Sequence, residues 1–308
     1  MLVLVSGGAG LLGSYVCDLL LEKGYEVRAM THYNTDNLEH IKDKVEIVKA
    51  DIRFKCECLE ASEGVDAIIH TAACIHVDRS RRYPRIFYET NVKGTMNMLE
   101  ACRKEDAKFV QMSSCEVLGN IPEGKADESF SFKQPLSPYA SSKHAAESYC
   151  HAYQATYDLP INIIRGFNLC GPRQKLGEKG AVIPRFIDMV LKGHPPIIYG
   201  SGEQTRDYVD ARDIAKGIVM LLESDYRGEL FHLCSGNEIS IRELAVKIIE
   251  TCGELQRPVH VERRPGELMR SVGDYSKAEK LLGWAPLISL DESLKDTVEY
   301  LRAQPTNI

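Results

Sequence analysis

Tyr139 and Lys143 are the residues whose types and spacing most directly indicate chemistry, because they lie four positions apart in the segment 137–143. On a helix, residues i and i+4 share one face, so the ammonium of Lys143 can lie near the phenol of Tyr139. A nearby positive charge favours the phenolate, so we expect the pKa of Tyr139 to fall from about 10 towards neutrality. Such a phenolate can take a proton from a substrate hydroxyl. The spacing alone is weak evidence, because most chance occurrences are solvated helix faces.

A glycine-rich turn near the N-terminus predicts a nucleotide site. The apolar run 2–5 precedes Gly7, Gly10 and Gly13, and a helical pattern follows them. Strand, turn and helix form the context that a dinucleotide fingerprint requires. We expect Gly7 to permit the tight turn, Gly10 to let the backbone approach a pyrophosphate, and Gly13 to let the helix pack against the strand. The phosphates would meet free N–H groups at the helix start. The predicted cofactor-binding residues here are Gly7, Gly10, Leu11, Leu12 and Gly13.

Further strand–helix alternation predicts an α/β fold with a doubly wound parallel sheet. Strands are predicted at 26–30, 45–50, 67–70 and 109–113, with a helix at about 91–103. An acid at the end of the third strand could reach the adenine, and small residues after the fourth strand suit close cofactor approach. The further cofactor-binding candidates are Thr31, His32, Asp51, Ile52, Thr71, Ala72, Ala73, Asn91 and Lys143.

The end of the second strand departs from the usual pattern. NAD enzymes commonly place Asp or Glu there to bind the adenosine ribose, whereas this chain has Thr31 followed by His32. Without that carboxylate, a 2′-phosphate meets less repulsion, and His32 or Arg28 could help to bind it, although Arg28 is expected to alternate away from the site. The choice between NAD and NADP therefore stays open, with NAD slightly favoured.

Composition excludes several classes of function. The 308 residues predict about two domains. A net charge of −6 offers no basic surface for nucleic acid or an anionic membrane, and no apolar run approaches the ~20 residues of a membrane span. The N-terminal apolar run lacks a basic flank, so it predicts a strand and not a signal peptide. Ten scattered cysteines without zinc-site spacing predict a reduced, cytoplasmic protein with no metal.

Taken together, the glycine fingerprint, Ser114, Tyr139 and Lys143 make the chain resemble the extended short-chain dehydrogenase/reductases. Within them it resembles the NAD(P)-dependent nucleotide-sugar epimerase/dehydratase family, which includes sugar-nucleotide 4,6-dehydratases and UDP-sugar 4-epimerases. The likeness covers nearly the whole chain. The segments that carry it further are 70–73, 76–80, 165–168, 171–173, 200–208 and 264–267.

The resemblance implies an architecture. We expect a Rossmann-type NAD(P)-binding domain over residues 1–165 and a smaller C-terminal α/β substrate-binding domain over 166–308. The chain is expected to re-enter the first domain at about 208–233. Helices at 91–103 and 139–157 commonly build a four-helix dimer interface in such enzymes, so a homodimer is expected by analogy.

The resemblance also implies a substrate site for a nucleotide sugar, with a UDP-hexose favoured. Asn168, Arg206 and Arg264 match the family's substrate-binding segments. Guanidinium groups suit an anionic pyrophosphate, because they are permanently charged and fork onto two oxygens. His76 and Asp78 fit a substrate contact and a structural role in their loop equally well.

The first chemical step follows from the family pattern. Tyr139 is expected to take the proton of the sugar 4-hydroxyl while hydride passes from C4 to the nicotinamide. Ser114 would hydrogen-bond that oxygen, and Lys143 would tune Tyr139 and hold the nicotinamide ribose. Ser113 could replace Ser114, but its spacing to the following residues favours Ser114.

The second step divides the family. A 4-epimerase only returns hydride to the other face of the ketone, whereas a dehydratase must also remove the C5 proton and protonate the departing 6-hydroxyl. The 4,6-dehydratases carry Thr-Asp-Glu or Thr-Ser-Glu for this work, and this chain has Ser114, Cys115 and Glu116. A Cys-Glu pair is also similar to that of a 5,6-dehydratase. We favour a dehydratase with Glu116 as base and Cys115 as acid. The alternatives are a 4-epimerase, a decarboxylase or reductase, and a non-catalytic NAD(P)-binding protein.

Overall fold

A parallel sheet of seven strands lies at the centre of the molecule. The computed structural model describes residues 1–130, 134–176, 180–264 and 267–304. The strands within these ranges are β1 (Leu2–Ser6), β2 (Glu26–Thr31), β3 (Glu46–Lys49), β4 (Ala67–His70), β5 (Lys108–Ser114), β6 (Ile161–Gly166), β7 (Asn168–Cys170), β8 (Ile197–Tyr199), β9 (Thr205–Asp210), β10 (Leu230–Leu233), β11 (Glu238–Ser240), β12 (Val259–Val261) and β13 (Arg270–Ser271). The central sheet has the order β10-β6-β5-β4-β1-β2-β3, and every neighbouring pair is parallel.

Helices connect these strands. They are α1 (Leu11–Glu22), α2 (Lys55–Ala61), α3 (Val77–Arg82), α4 (Pro84–Phe87), α5 (Gly94–Glu105), α6 (Pro138–Tyr157), α7 (Val182–Leu191), α8 (Ala211–Glu223), α9 (Ile241–Thr251), α10 (Ser276–Leu282) and α11 (Leu290–Ala303). The helix predicted at 91–103 is a π-helical segment, Tyr88–Lys93, followed by α5. None of the helices in the described ranges is long and apolar enough to cross a membrane.

Both faces of the central sheet are buried. Alternate residues of a strand point to opposite faces. Val3 and Val5 accordingly join one core cluster with α1 and α8, while Leu4 joins a second cluster with α5 and α6. Because helices cover both faces, the strands read as near-continuous apolar runs. The predicted Rossmann-type, doubly wound α/β fold is confirmed.

The C-terminal part builds smaller sheets around β9. Strand β11 pairs with β9 antiparallel, whereas β7 and β13 pair with it in parallel. Strands β8 and β12 form a separate parallel pair, and α7, α9 and α11 enclose a third core cluster. The chain returns to the central sheet through α8 and β10, which extends the sheet beside β6.

Helix α6 begins with a strong capping signal and packs its functional face inward. The Ser137 hydroxyl accepts the N–H of Ala140 at 3.1 Å, and Pro138 occupies the first turn, where proline is well tolerated. The buried positions on α6 include Tyr139, Lys143 and Glu147. These residues recur every four positions and therefore share one face. The packing of α6 on the sheet thus also fixes the direction of these polar side chains.

Candidate active site

Tyr139 lies against the carboxyl end of β5. Ser114 is the last residue of that strand, and its hydroxyl lies beside the phenol of Tyr139, whose pKa it acts to lower. The same hydroxyl accepts the N–H of Glu116 at 3.2 Å. The Tyr139 ring meets Phe87 edge-on at a centroid distance of 6.3 Å. The structure therefore brings Tyr139 and Ser114 together in the arrangement that an alcohol or ketone oxygen could join.

The two neighbouring serines face different partners. Ser113 donates its hydroxyl hydrogen bond to Glu147 Oε1 at 2.5 Å, on the opposite side of the strand from Ser114, because successive strand residues alternate. Of the two serines, Ser114 is the one that contacts Tyr139, and this geometry supports it over Ser113 as the partner of the reacting oxygen.

The prediction that the Tyr139 pKa is lowered is wrong when only the groups of the protein itself act on it. Burial raises the pKa of Tyr139, and this effect outweighs the hydrogen bond from Ser114, which lowers it; the charge of Glu116 raises it further. The Lys143 ammonium donates to the Met112 carbonyl at 2.8 Å. Burial also lowers the pKa of Lys143, to about 8. Desolvation therefore disfavours the charged form of both side chains.

The glycine turn leaves no room for side chains. Gly7 has a φ of +71°, and a Cβ on it would lie 2.9 Å from the backbone of Ala72. A Cβ on Gly13 would lie 2.3 Å from the Gly7 carbonyl oxygen, so the absence of a side chain at Gly13 lets α1 lie close to the turn that follows β1. Gly10 precedes α1 and provides no side-chain cap, so no N-cap side chain occupies the first N–H groups, those of Leu11 and Leu12. Such a bare helix N-terminus fits a dinucleotide pyrophosphate.

The ends of β2 and β3 form a polar cluster. The Thr31 hydroxyl donates to the Asn34 carbonyl at 2.7 Å, while His32 Nε2 lies 3.1 Å from Asp51 Oδ2. Arg53 Nε donates to both oxygens of Asp51, at 3.0 and 2.9 Å. Burial alone would raise the pKa of Asp51, but the bonds and charge of Arg53 hold it below its usual value. Sequence reasoning missed Arg53, although it lies only two positions after Asp51.

The segment after β4 lies beside the glycine turn. The Thr71 hydroxyl donates to the Ser6 carbonyl at 2.7 Å, and the Ala72 N–H donates to the Ser6 hydroxyl at 3.3 Å. Thr71 and Ala72 are thereby held against Gly7, with Ala73 next in the chain. Because the carboxyl ends of parallel strands meet at one edge, these residues share the ligand-binding edge of the sheet with the glycine turn.

Asn91 and Ile52 make contacts within the protein. The Asn91 carboxamide accepts the N–H of Cys74 at 2.7 Å, donates to the Cys74 carbonyl at 2.9 Å and donates to the Ser142 hydroxyl at 2.9 Å. It therefore ties the segment after β4 to α6. The Ile52 carbonyl accepts from Asn97 Nδ2 at 2.8 Å. The cofactor contacts of Asn91 and Ile52 stay predictions.

The three predicted substrate-binding residues line one cavity of about 250 Å³. Asn168 Nδ2 donates to the Asp207 carbonyl at 2.9 Å, and Arg206 Nη1 donates to the carbonyl of Thr205 at 2.8 Å. Glu116 also lines this cavity. The cavity therefore joins the predicted substrate residues to the end of β5.

Arg264 spans the cavity. Its guanidinium lies 3.7 Å from the ring centroid of Tyr199 and its Nη1 lies 3.0 Å from Asp78 Oδ2. His76 caps α3 by accepting the N–H of Arg79 at 3.4 Å, and it too lines the cavity. Pro265 and Gly266, part of the same family-like segment as Arg264, lie outside the described residues.

Arg185 is a functional candidate that sequence reasoning missed. It comes from α7 and its guanidinium lies 5.9 Å from the ring centroids of Phe186 and Tyr199. Its Nε is buried and has no hydrogen-bond partner among the described residues. Burial and the neighbouring Arg264 lower the pKa of Arg185. A buried N–H donor without a partner in a cavity is a natural position for a ligand acceptor. The arginines lining the cavity are Arg81, Arg185, Arg206 and Arg264.

Glu116 and Cys115 have different surroundings. Glu116 lines the cavity, and burial raises its pKa even though Arg206 and Arg81 act to lower it. Cys115 packs in the core cluster of α1 and α8, with the Ser271 hydroxyl nearby. Burial raises the pKa of the Cys115 thiol to about 12. The geometry supports Glu116 as the base more strongly than it supports Cys115 as the acid.

Known proteins place the chain in a family. Residues 3–234 match the NAD dependent epimerase/dehydratase family, and the chain belongs to it. A putative UDP-glucose 4-epimerase of Methanocaldococcus jannaschii is 37% identical over 304 residues, which cover 98% of each chain. The predicted family is thereby confirmed.

Solved structures of both activities are similar to this chain. The UDP-glucose 4-epimerase of Thermotoga maritima with UDP-glucose has a TM-score of 0.92 at 30% identity, over 98% of this chain and 99% of that one. The dTDP-glucose 4,6-dehydratase of Streptomyces venezuelae, with NAD and TYD bound, has a TM-score of 0.93 at 34% identity, over 98% of this chain and 97% of that one. The comparisons therefore do not distinguish the two reactions.

Replacing Tyr139 by Phe should abolish turnover of a nucleotide sugar while leaving cofactor and substrate binding almost intact. Phenylalanine keeps the packing against Phe87 but removes the oxygen that would accept the proton, and losing a positioned acid/base costs about 10²–10⁴-fold in rate. Steady-state kinetics and calorimetric binding check this. A Tyr139→Phe variant with more than about half the wild-type rate would contradict the role.

Proposed function

We propose that the protein is a nucleotide-sugar dehydratase that acts through oxidation of the hexose at C4, with a UDP-hexose as the favoured substrate. The observation that carries this proposal is Glu116, a half-buried carboxylate with a raised pKa that lines the same cavity as Arg206 and Arg264. A 4-epimerase needs no such base, whereas a dehydratase must remove a proton from C5.

The cofactor would be held by the glycine turn and by the ends of β2, β3 and β4. Gly10 would let the backbone approach the pyrophosphate, and Asp51, held by Arg53, would lie near the adenosine. A bound nicotinamide would supply a hydride acceptor for C4, a positive charge that favours the Tyr139 phenolate, and the hydride that would go back to C6 in a 4,6-dehydratase or to C4 in a 5,6-dehydratase or a 4-epimerase.

The protein's own groups would move the protons. The Tyr139 phenolate accepts the proton of the 4-hydroxyl, and the Ser114 hydroxyl donates a hydrogen bond to the same oxygen. The ketone at C4 then makes the C5 proton acidic, and the Glu116 carboxylate removes it. The electron pair of the C5–H bond forms a C5=C6 double bond, while the C6–O bond breaks and its own pair leaves with O6, which is protonated and released as water.

Cys115 is the proposed source of that last proton, because a thiol with a raised pKa keeps its proton at neutral pH. Because Cys115 packs beside Ser271 in the core, its role as the acid has less support than the role of Glu116 as the base. If Cys115 is the acid, a Cys115→Ala variant should exchange the C5 proton with solvent but lose water much more slowly than the wild type. Equal rates of water loss would remove Cys115 from the mechanism.

The second candidate function is a UDP-sugar 4-epimerase. The observation that favours it is that Cys115 packs in the core, whereas Glu116 lines the cavity. Of the acid and the base that a dehydratase needs, only the proposed base is then in a position to reach the substrate. An epimerase would use Tyr139 and Ser114 in the same way and would leave C5 untouched.

Replacing Glu116 by Gln should stop the reaction after oxidation at C4, because the amide cannot accept the C5 proton. Substrate would then generate the absorbance of the reduced nicotinamide and stall as the 4-ketone. Glu254, exposed on the surface, provides the matched control, and Glu254→Gln should behave as the wild type. If Glu116→Gln still interconverts C4 epimers at the wild-type rate, the dehydratase proposal is wrong and the epimerase replaces it.

Turnover of the wild type in deuterium oxide should mark C5. A 4,6-dehydratase that reprotonates C5 places deuterium there, and a 5,6-dehydratase yields an exocyclic alkene with no hydrogen at C5. Proton and deuterium NMR of the product distinguish these outcomes. Interconversion of C4 epimers without solvent deuterium in the sugar would contradict both dehydratases.

Replacing Arg185 by Gln should weaken binding of UDP by about tenfold or more, since charge-assisted bonds to phosphate are among the strong ones. Uridine, which has no phosphate, should bind the variant and the wild type alike. Calorimetry with both ligands checks this, with Arg257→Gln as a control at an exposed arginine. An equal loss for UDP and uridine would show that Arg185 only supports the packing around Tyr199.

Discrimination between NAD and NADP should be weak, within about ten- to a hundredfold in affinity. Thr31 replaces the usual ribose-binding acid, and His32 and Arg53 add positive or neutral groups nearby. Titration of the protein with each dinucleotide checks this. A thousandfold preference for NAD would mean that Asp51 or another group supplies the missing selectivity.

Four further proposals rest on the sequence and on its resemblance to the family. The boundary near residue 165 is supported by the end of β6 at Gly166, and re-entry of the chain by the pairing of β10 with β6. Because β9 pairs with β7, β11 and β13, this re-entry would start at α8 rather than at residue 208. A homodimer through α5 and α6, and a cytoplasmic location, are proposed by analogy with the family.

A further inference from the structure

A buried carboxylate lies one helical turn beyond Lys143 and takes no part in the proton transfers above. Glu147 is 2% exposed. Its Oε1 accepts hydrogen bonds from the Ser113 hydroxyl at 2.5 Å and from Arg165 Nε at 3.0 Å, and its Oε2 accepts one from Arg165 Nη2 at 2.8 Å. Helix α6, strand β5 and strand β6 therefore meet at this one side chain.

Glu147 and Lys143 form hydrogen bonds with adjacent residues of strand β5. Lys143 donates to the carbonyl of Met112, and Glu147 accepts from Ser113, the next residue. Ser114, the partner of Tyr139, follows directly. A shift of α6 along β5 would break the contacts of Tyr139, Lys143 and Glu147 together, so these contacts define one register.

The buried ion pair of Glu147 and Arg165 is not explained by stability alone, because apolar residues of similar size often stabilise a fold equally well. Its second effect is on the positive charge of Lys143. Burial lowers the pKa of Lys143 to about 8, and the charge of Glu147 is the largest influence that raises it. Glu147 thus opposes the loss of the ammonium.

The other titratable groups around Lys143 and Glu147 add little compensating charge. Cys150 on α6 and Cys74 after β4 also face Lys143. His70 faces it from β4, where burial and the charge of Lys143 lower the histidine pKa to about 3. His232 faces Glu147 from β10, and burial with the charge of Arg165 lowers its pKa to about 4. Both histidines are therefore neutral near pH 7.

We propose that Glu147 is a positioning residue that fixes α6 in register with β5 and β6 and holds Lys143 in its ammonium form. This inference rests on the proposed function in assigning Tyr139 and Lys143 to the reaction. Arg165 balances the carboxylate, and Ser113 fixes its direction.

The direction of the pH effect follows from the sign of the charge. An anion near an ammonium favours the protonated form, so replacing Glu147 by Gln lowers the pKa of Lys143 further below its usual value. If the ammonium is required, the alkaline limb of the turnover rate moves to lower pH. Ser113→Ala keeps the carboxylate charge, so it should leave the alkaline limb close to that of the wild type.

The test measures Lys143 directly and turnover separately. The protein is labelled with [ε-¹³C]lysine, the Lys143 signal is assigned by its loss in Lys143→Arg, and its titration is compared with the pH profiles of kcat and KM. Glu147→Gln should lower the Lys143 midpoint and the alkaline limb of kcat together, by about one pH unit or more, with KM little changed. An unchanged Lys143 midpoint, or a lowered midpoint with an unchanged limb, overturns the proposal.

A paired variant guards against simple unfolding, since Glu147→Gln leaves Arg165 buried without its counter-ion. Glu147→Leu combined with Arg165→Met removes both charges and keeps apolar volume. It should melt close to the wild type and still show the lowered Lys143 midpoint and alkaline limb. A wild-type profile in this double variant overturns the proposal. If the wild type turns over no nucleotide sugar, the proposed function fails, whereas the lysine titration still decides whether Glu147 holds the ammonium.

Discussion

The burial of a polar helix face against the end of a parallel strand is the constraint on which the rest of the structure depends. Helix α6 packs Tyr139, Lys143 and Glu147 inward, and each meets a polar partner on or next to β5. Burial disfavours charge on the tyrosine and on the lysine. Because all three contacts belong to one helix and one strand, their geometry is set by the same packing that builds the core.

The proposed substrate cavity, unlike the contacts of α6 with β5, depends on charged side chains that a ligand can reach. The protein has a net charge of −6, yet four arginines line one cavity. Arg264 is paired with Asp78 there, and Arg185 has a buried donor without a partner in the described ranges. On the proposed function, a diphosphate entering the cavity competes with Asp78 for Arg264 and supplies an acceptor for Arg185. Local charge, and not the charge of the whole protein, would then select the ligand.

Much of the fold could be predicted from the sequence because its signals are local. Apolar runs, glycines at a strand–helix turn and alternating segments specify the strands from β1 to β5 and the doubly wound sheet. The meeting of Tyr139 with Ser114 was also predictable, through the family pattern. The helix at 91–103 was only partly predicted, since local sequence does not indicate that its first turns are π-helical.

The features that the sequence could not predict depend on how deeply a side chain is buried and on which way it points. The pKa of Tyr139 is set by how deeply the ring is buried, which the spacing to Lys143 does not reveal. Arg185 and Arg53 resemble surface arginines until their neighbours are known, and the direction of the Cys115 side chain depends on the core around Ser271. These are long-range properties, and they are the ones that bear on the reaction.

The central claim is that the reaction begins at C4 of the sugar with Tyr139 as the proton acceptor. The most direct test gives the wild-type enzyme a UDP-hexose deuterated at C4, quenches it during turnover and analyses the released dinucleotide by mass spectrometry. We expect reduced dinucleotide that carries the deuterium from the wild type, and none from the Tyr139→Phe variant. Product formation by the wild type with no deuterium on the dinucleotide, and with the C4 label undisturbed throughout, would contradict it.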